Sequence, residues 1–301
     1  MKTAVLLLTF NRLDYLKEVF AAVAKAKPPR LYIASDGPRP EKVGEKEQID
    51  KIRKYLLSHI DWDCEVKTRF LKKNSGGCRY GVSGAVTWFF ENEPEGIILE
   101  DDCVPDLSFF DYCENLLEKY RDDKRIWHIA GDAPIDINIK ESYYFSRLMH
   151  CWGWASWADR WQYFSLDMSN YGKKELKNFS EELEVQNFWG RILEKLQRGE
   201  IDSWAWPWTF NIVANRGLCI NPAHCLVSNI GEQGVHYSSK NSNLNKQVYS
   251  LTELKHPKRI KVREKNMKNI WEWLLHKELR RSRIVKYTIF GFIPLLTINE
   301  E

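Results

Sequence analysis

Short runs of branched apolar residues alternate along the first half of the chain with stretches whose apolar positions recur every three or four residues. Residues 4–10 are almost wholly apolar and predict a buried strand. From Leu13 to Ala26 the spacing of Leu16, Val19, Phe20 and Val23 predicts a helix, which Lys27-Pro28-Pro29 stops. Leu31 to Ala34 predicts a second strand, ending in the turn Ser35-Asp36-Gly37-Pro38. A charged helix follows from about Glu45 to His59, then a third strand over Cys64 to Leu71. Asn74-Ser75-Gly76-Gly77 predicts a turn and Arg79 to Glu91 a helix. Gly96-Ile97-Ile98-Leu99 reads as a buried strand that runs into Glu100-Asp101-Asp102, with Pro105 blocking its continuation. Leu107, Phe110, Cys113, Leu117 and Tyr120 then recur at helical spacing, with Asp106 or Ser108 as the N-cap. Ile126 to Ala130 is a further apolar run, ended by Gly131.

Strands and helices in alternation imply an α/β fold with a mostly parallel sheet and right-handed crossovers. Ligands of such sheets bind at the carboxyl ends of the strands. Thr9 to Arg12, Asp36, Arg79 and the acidic triplet all fall at those ends.

The second half is rich in aromatics, centred on Trp152-Gly153-Trp154-Ala155-Ser156-Trp157 and Trp204-Ala205-Trp206-Pro207-Trp208. Most of these rings are expected in the core, with one or two facing a substrate. Residues 240–266 are polar and basic and read as a surface segment. In the tail, Lys277, Arg280, Arg281, Arg283 and Lys286 precede an apolar stretch from Tyr287 to Leu296. Such a tail could dock on an anionic membrane surface, pack onto the domain, or meet a second subunit.

The length of 301 residues and a hydrophobic content of 44% support a full core. A formal net charge of +4 implies no nucleic-acid partner. The seven cysteines are scattered and form no C-x-x-C pair, as expected of a cytoplasmic protein without a disulfide scaffold. Ala4 to Leu8 is too short for a signal sequence and lacks a cleavage site, so it is read as core.

Three adjacent carboxylates repel one another, and their burial calls for a cation or several donors. In an extended segment Glu100 and Asp102 face one side and Asp101 the other. A divalent, oxygen-seeking ion, Mn²⁺ or Mg²⁺, suits them, leaving water and phosphate oxygens as its other ligands. The alternative is a solvated acidic loop that begins a helix. Arg12 could hold a phosphate with two parallel hydrogen bonds. Strand one is not followed by a G-x-G-x-x-G or Walker-type loop, which argues against dinucleotide and P-loop enzymes. Asp202 could be a general base or could cap a helix over Trp204 to Asn215. His236, in a late loop with Glu232, could close over a metal or a diphosphate, or could be solvated.

Together these segments resemble the GT-A class of nucleotide-sugar glycosyltransferases. The nearest likeness is a bacterial group carrying Leu-Glu-Asp-Asp-Cys-Val-Pro, Trp-Gly-Trp-Ala-Ser-Trp and Ser-Asn-Ile-Gly in this order. The N-acetylglucosaminyltransferase I family is a more distant one. The resemblance spans about residues 3–238. It implies a GT-A-type, Rossmann-like sheet with a helical, aromatic-rich C-terminal half. Residues 1–131 would form the nucleotide-binding half, 132–238 the acceptor and catalytic half, and 239–301 a tail.

The resemblance also implies roles. Thr9, Arg12, Asp36 and Arg79 would contact the nucleotide, and Asp101 the ribose or donor sugar. Asp102 would bind Mn²⁺ or Mg²⁺, joined by His236. Glu100 would orient the donor or acceptor, and Asp202 falls near the catalytic base. Relatives carry a further acid where Ala205 and Trp206 stand here. The implied activity is metal-dependent, inverting transfer of a sugar from a nucleoside diphosphate, with a UDP-sugar favoured. The acceptor would be a glycan or lipid-linked glycan of the bacterial surface, and the enzyme cytoplasmic or peripheral on the inner face of the plasma membrane. Two alternatives stand beside it, a sugar-phosphate nucleotidyltransferase and a non-catalytic glycan-binding protein.

Overall fold

A computed structural model describes residues 1–231 and 247–262, together with the backbone of 287–289 and 293–295. In chain order the first half contains β1 (Ala4–Thr9), α1 (Leu13–Ala26), β2 (Arg30–Ser35), α2 (Glu45–Ser58), β3 (Glu65–Phe70), α3 (Cys78–Phe90), β4 (Glu95–Glu100), β5 (Cys103–Pro105), α4 (Leu107–Tyr120) and β6 (Ile126–Ala130). The second half adds β7 (Tyr143–Ser146), β8 (Trp154–Trp157), α5 (Ala158–Trp161), α6 (Lys173–Phe179), α7 (Leu183–Gln197), α8 (Ala205–Ala214), β9 (Leu218–Pro222) and β10 (Val227–Asn229). A hairpin of β11 (Tyr287–Ile289) and β12 (Ile293–Leu295) covers much of the apolar tail, while its basic residues 277–286 lie outside the described residues.

Eight strands form one sheet in the order β3-β2-β1-β4-β8-β6-β9-β7. The first four are mutually parallel, and β8 and β7 run against their neighbours. The fold is therefore α/β, with a mostly parallel central sheet flanked by helices. β1 and β4 are buried over their whole runs apart from Glu95, because helices cover both faces. From β1 the chain moves outward to β2 and β3, then crosses back to place β4 on the other side of β1. The gap between β1 and β4 is thus the point where strand order reverses, and it opens the crevice that holds the site.

Two expectations change here. The aromatic half is not simply helical. Trp154–Trp157 forms a strand inside the sheet, between β4 and β6, with every residue buried. Its residues are large on both faces because both faces are covered, which hides the two-residue period of a half-exposed strand. Pro105 does not end the extended chain either. After a turn at Asp101-Asp102 the backbone resumes as β5 and pairs antiparallel with β10. Pro105 closes that short strand, where a missing N–H is tolerated.

The remaining aromatics mostly pack inward. Trp154, Trp157, Trp189, Trp204, Trp206 and Trp208 are all fully buried. None of the seven cysteines is in a disulfide. Among the described residues no helix is long and apolar enough to cross a membrane.

His128 sits in this core on β6, stacked on Trp154, with Nε2 2.8 Å from the His150 carbonyl and Nδ1 receiving the Trp208 indole N–H. Burial lowers its pKa from 6.5 to about 4, against the hydrogen bond to His150. Above pH 6.5 the ring is neutral in both states. Below it the unfolded chain gains a proton that the folded core refuses, so stability falls until about pH 4. This one group removes about 3 kcal/mol over that window. Urea denaturation between pH 7 and 4 should show a shallower loss for His128→Gln than for the wild type; equal slopes would exclude the ring as the cause.

Candidate active site

The sequence places charged side chains at strand ends, and the fold gathers them around one cavity of about 790 Å³. Its wall includes Thr9 to Arg12 after β1, Asp36 and Arg39 after β2, Arg69 on β3, Asn74 and Gly76 to Cys78 before α3, Glu100 to Asp102 after β4, and Asp202, Asn229 and Gly231 from the second half.

Arg12 is central. Its Nη1 lies 2.8 Å from Asp102 Oδ2, and its Nη2 pairs with Asp101 Oδ1. Both acids are nearly inaccessible, at 4% and 3% exposure. The alternation expected of an extended triplet fails because the chain turns at Asp101-Asp102, which lets both carboxylates meet one guanidinium. Asp101 Oδ2 also accepts the Phe10 N–H at 3.2 Å, and the Asp102 carbonyl accepts the Ile230 N–H at 2.9 Å. Burial disfavours charge on Arg12, but Asp101 and then Asp102 outweigh it, and its pKa rises.

Glu100 lacks such a partner. Its Oε1 is buried and accepts no hydrogen bond. Burial first, then the charges of Asp102 and Asp101, push its pKa well above the carboxylate range, while Arg12 and the Trp204 indole act the other way. Thr9 Oγ1 is likewise buried without a partner. Two unsatisfied polar atoms in residues lining one cavity are costly unless a ligand completes them.

Asp36 is committed differently. Its two oxygens accept from the Gly37 N–H (2.7 Å), the Ser75 N–H (3.0 Å) and hydroxyl (2.6 Å), and Asn74 Nδ2 (3.2 Å). It therefore ties the end of β2 to the turn before α3. Arg53 supports the same corner, with Nη2 donating to the carbonyls of Ser35, Asp36 and Leu71.

Asp202 does not cap α8. The N-cap position of α8 is Trp204, and the Ser203 hydroxyl accepts the Ala205 N–H at 3.1 Å. Asp202 instead accepts the N–H groups of Cys78 and Arg79 at 2.9 and 3.0 Å, capping α3 from more than a hundred residues away. Gly77, at φ +126°, leaves room for it, since a Cβ there would lie 2.5 Å from Asp202 Oδ2. The arrangement brings Asp202 into the same cavity as the acidic triplet. Ala205 and Trp206 are buried in α8 and do not line it.

Arg79 is not among the lining residues. Its guanidinium lies over the Tyr80 ring, with Nε 4.0 Å from Asp202. Arg39 and Arg69 line the cavity instead. Arg39 was detectable in principle, because it follows the Asp-Gly-Pro turn at the end of β2. Arg69 lies on an edge strand with no distinguishing pattern. His236 lies outside the described residues.

Among the described residues no preformed cluster of three His, Cys, Asp or Glu side chains stands ready for a metal. The donors nonetheless fit a divalent ion. Glu100 Oε1 is an unclaimed, buried, hard oxygen, and its carboxyl is near enough to Asp102 to feel that charge. Two carboxylates suffice for Mg²⁺ or Mn²⁺ when substrate phosphate and water supply the rest.

No protein-family model matches the chain, and no curated protein matches it in sequence. Among solved structures it is similar to S. aureus TarS 1–349, at 13% identity and a TM-score of 0.43, over 77% of this chain and 61% of that one. It is also similar to the mannosyltransferase PcManGT from Pyrobaculum calidifontis in complex with GDP-Man and Mn²⁺, at 10% identity, TM-score 0.37, and 72% and 74% coverage. UDP-glucose pyrophosphorylase in complex with UDP-glucose is similar at 10% identity, TM-score 0.33, and 65% and 88% coverage. The chain thus spans under two thirds of the TarS structure. These likenesses are distant, and the functional reading rests on the residues of the cavity.

Proposed function

We propose that the chain is a metal-dependent glycosyltransferase of the GT-A kind, moving a sugar from a nucleoside-diphosphate sugar to a glycan or lipid-linked acceptor with inversion. Within that class the three quoted motifs support a bacterial group, itself distantly similar to the N-acetylglucosaminyltransferase I family. The observation that carries the reading is the crevice between β1 and β4. There an acidic pair is neutralised by Arg12, beside the unpartnered Glu100 Oε1 and Thr9 Oγ1.

Each residue has a task in this scheme. Asp102, with Glu100 beside it, would hold Mn²⁺ or Mg²⁺, which when bound neutralises charge on the leaving diphosphate. Arg12, whose terminal nitrogens hold Asp102 and Asp101, neutralises the acids beside which the diphosphate would lie. Thr9 offers its free hydroxyl to the donor, and Asp101 keeps Phe10 and Arg12 in place. Asp202 would accept the proton of the acceptor hydroxyl as that oxygen attacks the anomeric carbon. Its two oxygens each take one backbone N–H and keep further lone pairs for a hydroxyl. Asp36 holds the wall against which the nucleotide lies.

Thermal unfolding with a panel of nucleotide sugars, with and without Mn²⁺, tests the reading. A true donor at a hundred times its dissociation constant adds about 2.7 kcal/mol and raises Tm by several degrees in the presence of Mn²⁺. A panel in which no nucleotide sugar moves Tm would overturn it. Slow hydrolysis of the stabilising nucleotide sugar, measured next, separates an enzyme from a glycan-binding protein.

A further inference from the structure

Arg39 and Glu45 were singled out by no motif, yet they build one side of the cavity. Glu45 is the first residue of α2 and only 4% exposed, an unusual place for a charge. Its Oε1 accepts from Arg39 Nη2 at 2.5 Å and from Asn11 Nδ2 at 2.9 Å. Its Oε2 accepts from Arg39 Nε at 3.1 Å and the Arg39 backbone N–H at 2.7 Å. Opposing charge and these hydrogen bonds outweigh burial and lower the Glu45 pKa. The guanidinium is therefore fixed at one edge by a carboxylate. Its Cζ lies over the Phe10 ring, 5.3 Å from the ring centre. Among the described residues Arg39 Nη1 makes no hydrogen bond, and Arg39, Phe10 and Asn11 all line the cavity.

Position gives this group its task. β4, β1 and β2 are consecutive in the sheet. Two inter-strand steps are about 10 Å. A donor whose diphosphate lies by the acids after β4 reaches, across its ribose, the end of β2 with its base. We propose that Arg39, held by the positioning residue Glu45, reads that base and selects one with a carbonyl oxygen on the recognised edge, uracil or guanine, over cytosine or adenine. The selection follows from chemistry, because a guanidinium only donates. Where uracil O4 or guanine O6 would accept, cytosine N4 or adenine N6 would set donor against donor. The inference rests on the nucleotide-sugar reading and narrows it.

The test is isothermal titration of UDP, GDP, CDP and ADP in Mn²⁺ buffer, with wild type, Arg39→Ala, Arg39→Lys and Glu45→Gln. The wild type should bind UDP or GDP roughly tenfold or more tighter than CDP and ADP. Comparing UDP with GDP identifies the preferred base. Arg39→Ala should bring the four affinities within about twofold of one another, mainly by weakening the carbonyl-bearing nucleotide. Arg39→Lys keeps the charge but loses the fork, and should likewise lose discrimination. Glu45→Gln should fall between in discrimination; the loss of the ion pair should also lower its Tm, so its affinities are measured well below that Tm. Arg39→Ala that weakens all four equally marks a phosphate contact and overturns the proposal, as does a variant that still discriminates or a wild type that does not. A wild type that binds none of the four overturns the donor reading itself.

Discussion

Asp102→Ala should abolish sugar transfer while leaving the fold intact. The fold should survive because Arg12 keeps Asp101 as a partner, so no cation is stranded, and because Asp102 bonds Ile230 through its carbonyl rather than its side chain. Removing the carboxylate also relieves repulsion on Glu100, whose pKa Asp102 helps to raise. What is lost is the carboxylate that, in the proposed scheme, would hold the divalent ion and so neutralise charge on the diphosphate. A preorganised group acting on developing charge contributes about 10²–10³ in rate, and loss of the ion itself removes more. Transfer should fall by about a thousandfold or more, roughly 4 kcal/mol of barrier. The Mn²⁺-dependent rise in Tm on adding the donor should vanish as well. Asp102→Asn keeps the shape and one oxygen, and should lose nearly as much because the charge is gone. An Asp102→Ala protein with wild-type turnover would remove the metal from the mechanism.

How far such a site can be read from sequence depends on the range of the contacts that form it. α1 runs from Leu13 to Ala26, as its apolar spacing and the following Pro28-Pro29 require. β1, β2 and β4 are equally plain, because buried parallel strands are unbroken apolar runs. The rule that ligands meet strand ends then places Thr9, Arg12, Asp36 and the acids in one crevice. β8 was hidden by its own burial.

The grouping of Asp101 with Asp102 on one guanidinium depends on a turn that strand alternation does not foresee. Asp202 reaches the N-terminus of α3 through a contact spanning 124 positions, and nothing local to either segment announces it. Arg39 and Glu45 look like ordinary charges in a polar loop and a polar helix. Their meaning appears only when the buried carboxylate is seen holding the arginine against Phe10. Local periodicity therefore locates the crevice, and long-range packing decides which charges inside it can act.

Arg12→Ala should be the most destabilising change in the site as well as a damaging one. The guanidinium is the only ion-pair partner of Asp101 and of Asp102 among the described residues, and both acids are almost wholly buried. Breaking a buried pair from one side costs about 3–5 kcal/mol, because the remaining charge is left in a poor solvent. One quarter of the Arg12 side chain is exposed, so the lower end of that range is expected.

The sign with pH follows from the same cause. Burial already raises the Asp101 pKa against the pull of Arg12, so without Arg12 Asp101 binds its proton still more tightly in the folded state than in the unfolded one. Below the unfolded carboxylate pKa, near 4, both states are protonated and the penalty is small. As pH rises the unfolded chain ionises freely while the folded site resists, so the deficit grows and is large at pH 7. Urea denaturation should therefore show wild type and variant converging toward pH 4 and separating by about 3 kcal/mol at neutral pH. Mn²⁺ should narrow the gap at pH 7, since a divalent ion held by Asp102 would replace part of the missing positive charge. Arg12→Lys should recover part of the stability but not the two-point grip. Equal stability of Arg12→Ala and wild type at pH 7 would mean that the acids are solvated, and the crevice would lose its case as a place where a cation and a diphosphate meet.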